Sequence, residues 1–382
     1  MTLKQISEIL NNTIIKNELG ESIQIAEDLS NIIDFGTAIK DLTAEQLKDY
    51  SNAFVAGCSK TYFDTREYKK ADLGLFADSV EYGGIIQSVK SKMLETVDNQ
   101  ILNLENGTDY LDGKYYGLST DVKVYEKDKA WSVRYSIPVS AFKNSFNTVE
   151  GVRGLVALIK TMVRNTLNRD IHVLAKRCLT ALAVDALKNN RKVELISEYK
   201  AFTGVTSATN EEVLSDRGFY MFVRACIGKL SQYMTDYGHK YSGHDTPEDK
   251  WETFTPISDV KITLLADFSQ TMENMVNTVR NADKYQLPEH NQITCWQNIS
   301  NEILPSYDSV ISTIVDGTTE LNNTYENVIG IIYDRLGAGI TMRNEKVTSQ
   351  YIAAGDFTTY YHNYCARYFV DDRCNSVVLV LA

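Results

Sequence analysis

Residues 152–187 read "VRGLVALIKTMVRNTLNRDIHVLAKRCLTALAVDAL". Apolar side chains recur at Val152, Leu155, Ile159, Val163, Leu167, Ile171, Leu174, Cys178, Leu182 and Leu187. Steps of three and four dominate, with a single five-residue step at the end. These positions therefore fall on one stripe of an α-helix. At the usual rise, a helix of about 36 residues spans roughly 54 Å. Asn189-Asn190 offers a stop. Ordinary globular helices are shorter, so one of this length needs something to lie along. A coiled coil would satisfy that need, and so would a rod buttressing a flat, extended subunit.

Downstream, residues 193–240 remain mostly helical in pattern. The stretch "YGHKYSGHDTPEDKWETFTP" (237–256) reads as a polar loop and a boundary. "SDVKITLLADF" is a strand running into the helix "SQTMENMVNTVRNADKYQ". Loops with Pro288 and Pro305 follow, then the strand "NVIGIIYD" and a closing buried-type strand "SVVLVLA". Upstream, "GGIIQSVKSKMLETV" (83–97) is ambiguous between helix and strand. Asn106-Gly107 and Asp112-Gly113 are turn signals, and "DVKVYEKD" and "WSVRYSIPV" alternate as strands do. Residues 85–140 thus read as a long, polar-tipped, two-stranded excursion. Residues 1–75 carry short amphipathic helix signals, with Thr43 and Gln46 as a capping-box candidate, and read as an arm of helical pieces. There is no internal repeat.

The 382 residues are 43% apolar, enough for more than one compact unit. The formal charge of −11, from 39 basic and 50 acidic residues, is the reverse of what a sequence-specific nucleic-acid reader carries. "MTLKQISEIL" has no apolar run of signal-peptide length, and no run is long enough to span a bilayer. The cysteines Cys58, Cys178, Cys226, Cys295, Cys365 and Cys374 form no CxxC, which fits synthesis in a reducing cytoplasm. On that reading the sequons at Asn11, Asn106, Asn298 and Asn322 are accidental. The 23 tyrosines exceed the 13 phenylalanines. That excess suits either partly wetted interfaces or an aromatic-rich core.

The stretch "IIYDRLGAGI" (331–340) raises the question of a phosphate loop. A dinucleotide fingerprint needs GxGxxG, but after Gly337 and Gly339 the sixth position is Met342. No lysine follows the glycines as a P-loop requires, and "ITMRNEKVTSQYI" continues as strand rather than helix. The loop reads as a turn between two strands. His239 and His244, near Asp245 and Glu248, lack metal-site spacing. Glu105, Asp109 and Asp112 lack the calcium-loop spacing. SxxK occurs at Ser140/Lys143 and Ser197/Lys200 without the partner motifs that give it meaning. His172 falls within the long helix and reads as a packing or surface residue. The expectation is no catalytic residue, no cofactor and no metal. An arm, a long hairpin and a long helix that cannot bury their own surfaces instead point to an assembling structural protein.

Four stretches carry a family resemblance. They are "FADSVEYGGIIQSVKSK" (76–92), "WSVRYSIPVSAFKNSFNTVEG" (131–151), "WETFTPISDVKITLLADF" (251–268) and "VIGIIYDRLGAGI...AAGDFTTYYHNYCARYFVDDRCNSVVLVLA" (328–382). An apolar strand ending in "YDR", a loop and a closing "VD...N" strand complete the pattern. The chain resembles the major capsid proteins of tailed bacteriophages, nearest to those of small short-tailed phages. The resemblance implies an α+β, HK-ninety-seven-like fold. It divides the chain into an N-terminal arm (1–75), an E-loop with flanking strands (76–140) and a peripheral domain with the spine helix (141–253). An axial domain (254–366) and a return strand of the peripheral domain (367–382) complete it.

The implied function is self-assembly into the pentamers and hexamers of an icosahedral or prolate shell. That shell would enclose phage double-stranded DNA without sequence-specific binding. The E-loop tip, Asp112, Gly113, Lys114, Tyr115 and Tyr116, would lie on a neighbouring subunit. Scaffold, portal and minor head proteins are the further partners implied, with no membrane and no enzymatic activity. The protein would be made in the bacterial host cytoplasm and end in the virion. No residue pattern singles out a covalent cross-link. Two alternatives stand beside this: an encapsulin-like nanocompartment shell, and a cytoplasmic enzyme with a site assembled from scattered residues.

Overall fold

A computed structural model describes residues 76–79, 86–91, 104–106, 120–145, 149–238, 240–241, 252–277, 288–297, 311–312 and 324–382, with isolated residues before 76. The helical pieces expected in the arm and the excursion tip lie outside the described residues.

The long helix forms as its stripe demands. After a short helix α1 (Val139–Ser145), helix α2 runs over Val149–Lys188, 40 residues. Of the ten stripe positions, all but Leu155 are buried. The helix ends where the asparagines stand. Asn190 takes a left-handed φ of 55°, which asparagine tolerates better than most residues. Its N–H donates to the Leu187 carbonyl at 3.2 Å, and that of Arg191 donates to the Ala186 carbonyl at 2.8 Å. This pairing satisfies carbonyls the helix would otherwise leave open.

Two sheets flank the helix. One has the order β1-β11-β12-β4, built from β1 (Phe76–Ser79), β4 (Asp128–Pro138), β11 (Ala338–Ile352) and β12 (Phe357–Val370). Its β11–β12 pair is a long antiparallel hairpin closed by a turn at Ala353–Gly355. The other has the order β5-β13-β10-β6-β7. Its strands are β5 (Lys192–Glu194), β6 (Val260–Leu265), β7 (Asn291–Ile293), β10 (Val328–Asp334) and β13 (Ser376–Val380). Every residue of β10 and β13 is buried, as near-continuous apolar runs at a sheet centre should be. Gly330 on β10 is fitted to that crowding: a Cβ there would lie 2.7 Å from the Thr263 carbonyl oxygen.

Helices α3 (Leu195–Thr203), α4 (Asn210–Ser215), α5 (Arg217–Tyr233) and α6 (Ala266–Asn277) account for the helical patterns downstream of α2. The ends of the polar loop after α5 are pinched together, with Gly238 and Thr253 bonded reciprocally at 3.2 and 3.0 Å.

The ambiguous segment near residue 86 is a strand. β2 (Ile86–Ser91) pairs antiparallel with β3 (Thr120–Tyr125), so the excursion is two-stranded at its base. A further short pair joins β8 (Ile311–Ser312) to β9 (Thr324–Tyr325).

The segment 331–340 is a turn between two strands, and those strands belong to different sheets. β10 ends at Asp334, a 3₁₀ turn covers Arg335–Gly337, and β11 begins at Ala338. Strand pairing also cuts across the boundary drawn at 366/367. β13 lies beside β10, whereas β11 and β12 belong to the other sheet. Helix α2 packs on β13 and on β4, β11 and β12, and so touches both sheets. One apolar core runs from the second half of α2 through α5 and β10 to Ala338, Ile340 and Ala366.

Candidate functional site

The chain passes between the two sheets twice near its end, and the crossings lie side by side. The first is the turn Asp334–Gly337. The second is the segment Asp371–Asn375, between β12 and β13. They are stitched by backbone: the Asp371 N–H donates to the Gly337 carbonyl at 2.8 Å, and that of Asp334 to the Asn375 carbonyl at 2.8 Å. Gly337 sits close under α2, where a Cβ would come to 3.3 Å from the Leu182 side chain. The buried Asp334 carboxylate accepts from the Leu336 N–H and the Thr255 hydroxyl, both at 2.8 Å. Burial raises its pKa, and these two bonds offset only part of that.

The β2–β3 ribbon docks on this junction through its polar face. Arg373, 3% exposed, forms a bidentate pair with Asp371 at 2.9 and 3.1 Å, and also reaches the Asp121 carboxylate at 2.8 Å. The Ser88 hydroxyl donates to Asp371 at 2.8 Å. Lys90 donates to the Arg373 carbonyl at 2.7 Å, and Lys123 to Asp372 at 2.6 Å. Burial alone would raise Asp371, but the Arg373 hydrogen bonds, Lys90 and Ser88 outweigh it and hold the carboxyl down at about 2. Arg373 is likewise opposed by burial, yet held above its ordinary value by Asp371 and Asp121. Breaking such a buried pair strands a charge, which typically costs several kcal/mol.

The other face of the ribbon is open and carries three valines beside Gln87, Ser91 and Thr120. Val89 and Val122 face each other across the pair and are 60% and 52% exposed, with Val124 beside them. A strand pair with its polar face turned inward to its own subunit and its valines outward is the reverse of a solvated surface ribbon.

The side chains weighed as candidates for chemistry lie as follows among the described residues. The Ser197 hydroxyl donates to the Ala382 carbonyl at 3.2 Å and Lys200 donates to Asn210 at 3.0 Å, so each half of that SxxK is engaged elsewhere. Ser140 is exposed on α1, Lys143 and His172 are half-buried, and Glu105 is exposed. No group of three or more metal-ligating side chains forms among the described residues. His239, His244, Asp245, Glu248 and Asp109 lie outside them, as do Asp112, Gly113, Lys114, Tyr115 and Tyr116. Ser269 and His290 stand 2.7 Å apart, but Ser269 is fully buried, and the contact ties α6 to the start of β7. Among the described residues no helix is long and apolar enough to cross a membrane.

Sequence reading passed over His362. It lies on β12 among the rings of Tyr135 and Tyr364, with its Nε2 3.1 Å from the Tyr135 hydroxyl. Burial pushes its pKa down to about 4. The period-two burial of β12, with Thr358, Tyr360, His362, Tyr364 and Ala366 inside, was the signal available. The core reading of the tyrosines holds for part of them. Tyr333, Tyr360 and Tyr364 fill the interior, while Tyr233 and Tyr237 are 47% and 56% exposed.

The architecture is thus a long helix between two sheets, with a ribbon latched to their crossing. A capsid protein of Staphylococcus phage Andhra superposes with a TM-score of 0.50 at 10% identity, over 80% of this chain and 83% of that one. A capsid protein of Cyanophage P-SCSP1u aligns at 12% identity over 81% and 86% of the two chains, with a TM-score of 0.43. No curated protein matches. Residues 12–380 match the family model described as Phi29-like phage major capsid protein, and the chain belongs to that family. It is thus a structural shell protein with the HK-ninety-seven-like α+β fold. Membership decides for the phage head over the cellular nanocompartment.

Proposed function

We propose that each subunit builds the shell by laying its ribbon on a neighbour, within pentamers and hexamers that enclose double-stranded DNA. The observation that carries this is the inverted ribbon. Its polar face is spent on Asp371, Asp372 and Arg373 of its own chain, and its valine face is left uncovered. The family resemblance supports giving the tip residues Asp112 to Tyr116 a place in that contact. The net charge of −11 supports an interior that does not grip packaged DNA.

The sheet pairing supports drawing the domains by sheet. The N-terminal arm (1–75) keeps its bounds, while within 76–140 the flanking strands β1 and β4 go with the sheet of β11 and β12, leaving the β2–β3 ribbon as the E-loop. The unit bearing β4, β11 and β12 corresponds to the peripheral domain, and the unit bearing β6, β10 and β13 to the axial one. On this reading the protein is not an enzyme. It is made in the host cytoplasm and meets scaffold, portal and minor head proteins during head assembly.

Electron microscopy of the purified chain tests the reading: shells tens of nanometres across, or capsomer rings, are expected. Deleting residues 112–116 should abolish them while circular dichroism stays unchanged. A stable monomer or dimer from the intact chain under all assembly conditions would sink the proposal. Normal shells from the deletion would remove the role of the tip.

A further inference from the structure

Among the described residues four that are not glycine take a left-handed φ: Leu73 at 52°, Asn190 at 55°, Asn327 at 62° and Asp356 at 46°. Asparagine and aspartate tolerate that region, because a short polar side chain can bond to nearby backbone. Leucine has no such compensation. Leu73, at the end of the arm, therefore holds backbone strain that only the contacts around it can maintain.

Those contacts converge on its carbonyl. The Tyr333 hydroxyl and the Asn291 side-chain amide each donate to it at 2.8 Å. Tyr333 lies on β10 and is fully buried, and Asn291 opens β7, so both holders belong to the five-stranded sheet. The Leu73 and Leu75 side chains are buried in the core that α2, β6 and β10 share. Immediately after Leu75 the chain changes sheet: Phe76 starts β1 and pairs with Gly339 of β11. Residues 73–76 are thus a third crossing between the sheets, set beside the turn Asp334–Gly337. Tyr333 also has a second partner to hand. Its hydroxyl stands 3.5 Å from that of Thr263, which is fully buried on β6. Letting go of Leu73 would not leave the tyrosine hydroxyl stranded in the core.

We infer that Leu73 is a two-position catch at the base of the arm. In the caught position its carbonyl is held by Tyr333 and Asn291 and its φ is left-handed. In the released position Leu73 relaxes to an ordinary φ, Tyr333 turns to Thr263, and the chain before residue 73 leaves in another direction. A buried outlier held by its surroundings, with an alternative partner ready for its holder, has the form of a bistable element. The inference rests on the shell reading. Pentamers and hexamers place copies of one chain in two settings, and the catch gives the arm a path for each. A neighbour's hold on the arm supplies the difference in free energy that tips the catch.

The test is hydrogen exchange, read by mass spectrometry on the peptide covering residues 73–79, in the unassembled full chain and in assembled particles. The subunit should show one slow population, and the particles two, differing about tenfold or more in rate. Tyr333→Phe/Asn291→Ala removes both holders and keeps the Leu73 side chain. In the unassembled subunit it should speed exchange of this peptide about tenfold, while a peptide over β13 exchanges as in the wild type. Asn291→Ala alone should give the same change in smaller measure, and it serves if the double variant does not fold. A single population in the particles, or variants that leave the peptide unchanged, would overturn the catch and leave the shell reading standing. Failure of the wild-type chain to form any particle would overturn the shell reading, and with it the two settings that the catch serves.

Discussion

His362 shows at a single residue how the sheet that carries it responds to acid. An ordinary histidine titrates near 6.5, and burial among tyrosines holds this one at about 4. Between those two values the unfolded chain binds a proton that the folded chain does not. Stability from this group is therefore complete above about pH 6.5 and is lost as the pH falls toward 4, by roughly 3 kcal/mol in all. Asp371 acts in the same direction lower down. Its ordinary value of 3.8 is depressed to about 2, so its share is lost only below about pH 4. Denaturant midpoints of the unassembled subunit should accordingly drop between about pH 7 and pH 5, and His362→Gln should flatten that drop. A wild-type midpoint constant over that range would refute the buried neutral histidine. The composition counts His362 as one histidine of five, with nothing to mark it. Its place is set by β4 pairing along the edge of β12 and α2 packing against it, which is a long-range fact.

At the scale of the element, helix α2 changes character along its length. Its first half buries one stripe, with Met162 on the far side 47% exposed. Its second half is covered nearly all round. Ala175, Leu179, Ala183 and Ala186, all off the stripe, are fully buried, because there the helix runs between the two sheets. Leu182→Ala, beside Gly337, should cost about 3 kcal/mol, while Met162→Ala should stay within about 0.5 kcal/mol. Chemical denaturation of the subunit reads both, and equal costs would contradict this division of the helix. The stripe and the Asn189-Asn190 stop were legible because helical period and left-handed tolerance are local properties. That the strands on either side of "DRLG" join separate sheets was not legible, since a turn looks the same whichever neighbours its strands find.

For the whole molecule the ribbon is the decisive part. Its alternation is visible in "DVKVY", but alternation alone does not say which face points inward. Polar residues outside and valines inside would be the default for a strand pair on a core. The tertiary structure inverts this by offering Asp371 and Arg373 as the surface on which the ribbon rests. Val122→Asp should therefore leave the subunit's melting temperature almost unchanged and abolish shell formation, as followed by sedimentation. A destabilised subunit would mean that the valine face is covered within the chain.

What the sequence determined by itself was the inventory: one very long helix, a buried closing strand, a two-stranded excursion, and motifs without catalytic fingerprints. These follow from periodicity, capping and residue chemistry, which act over a few residues. What only the tertiary structure decided was adjacency. "YDR" and "VDDRCN", nearly forty residues apart in the chain, become two neighbouring crossings joined by Asp371 to Gly337 and Asp334 to Asn375. The physical reason is that a buried backbone group or a buried charge must find a partner, and no local pattern says which distant segment will supply it.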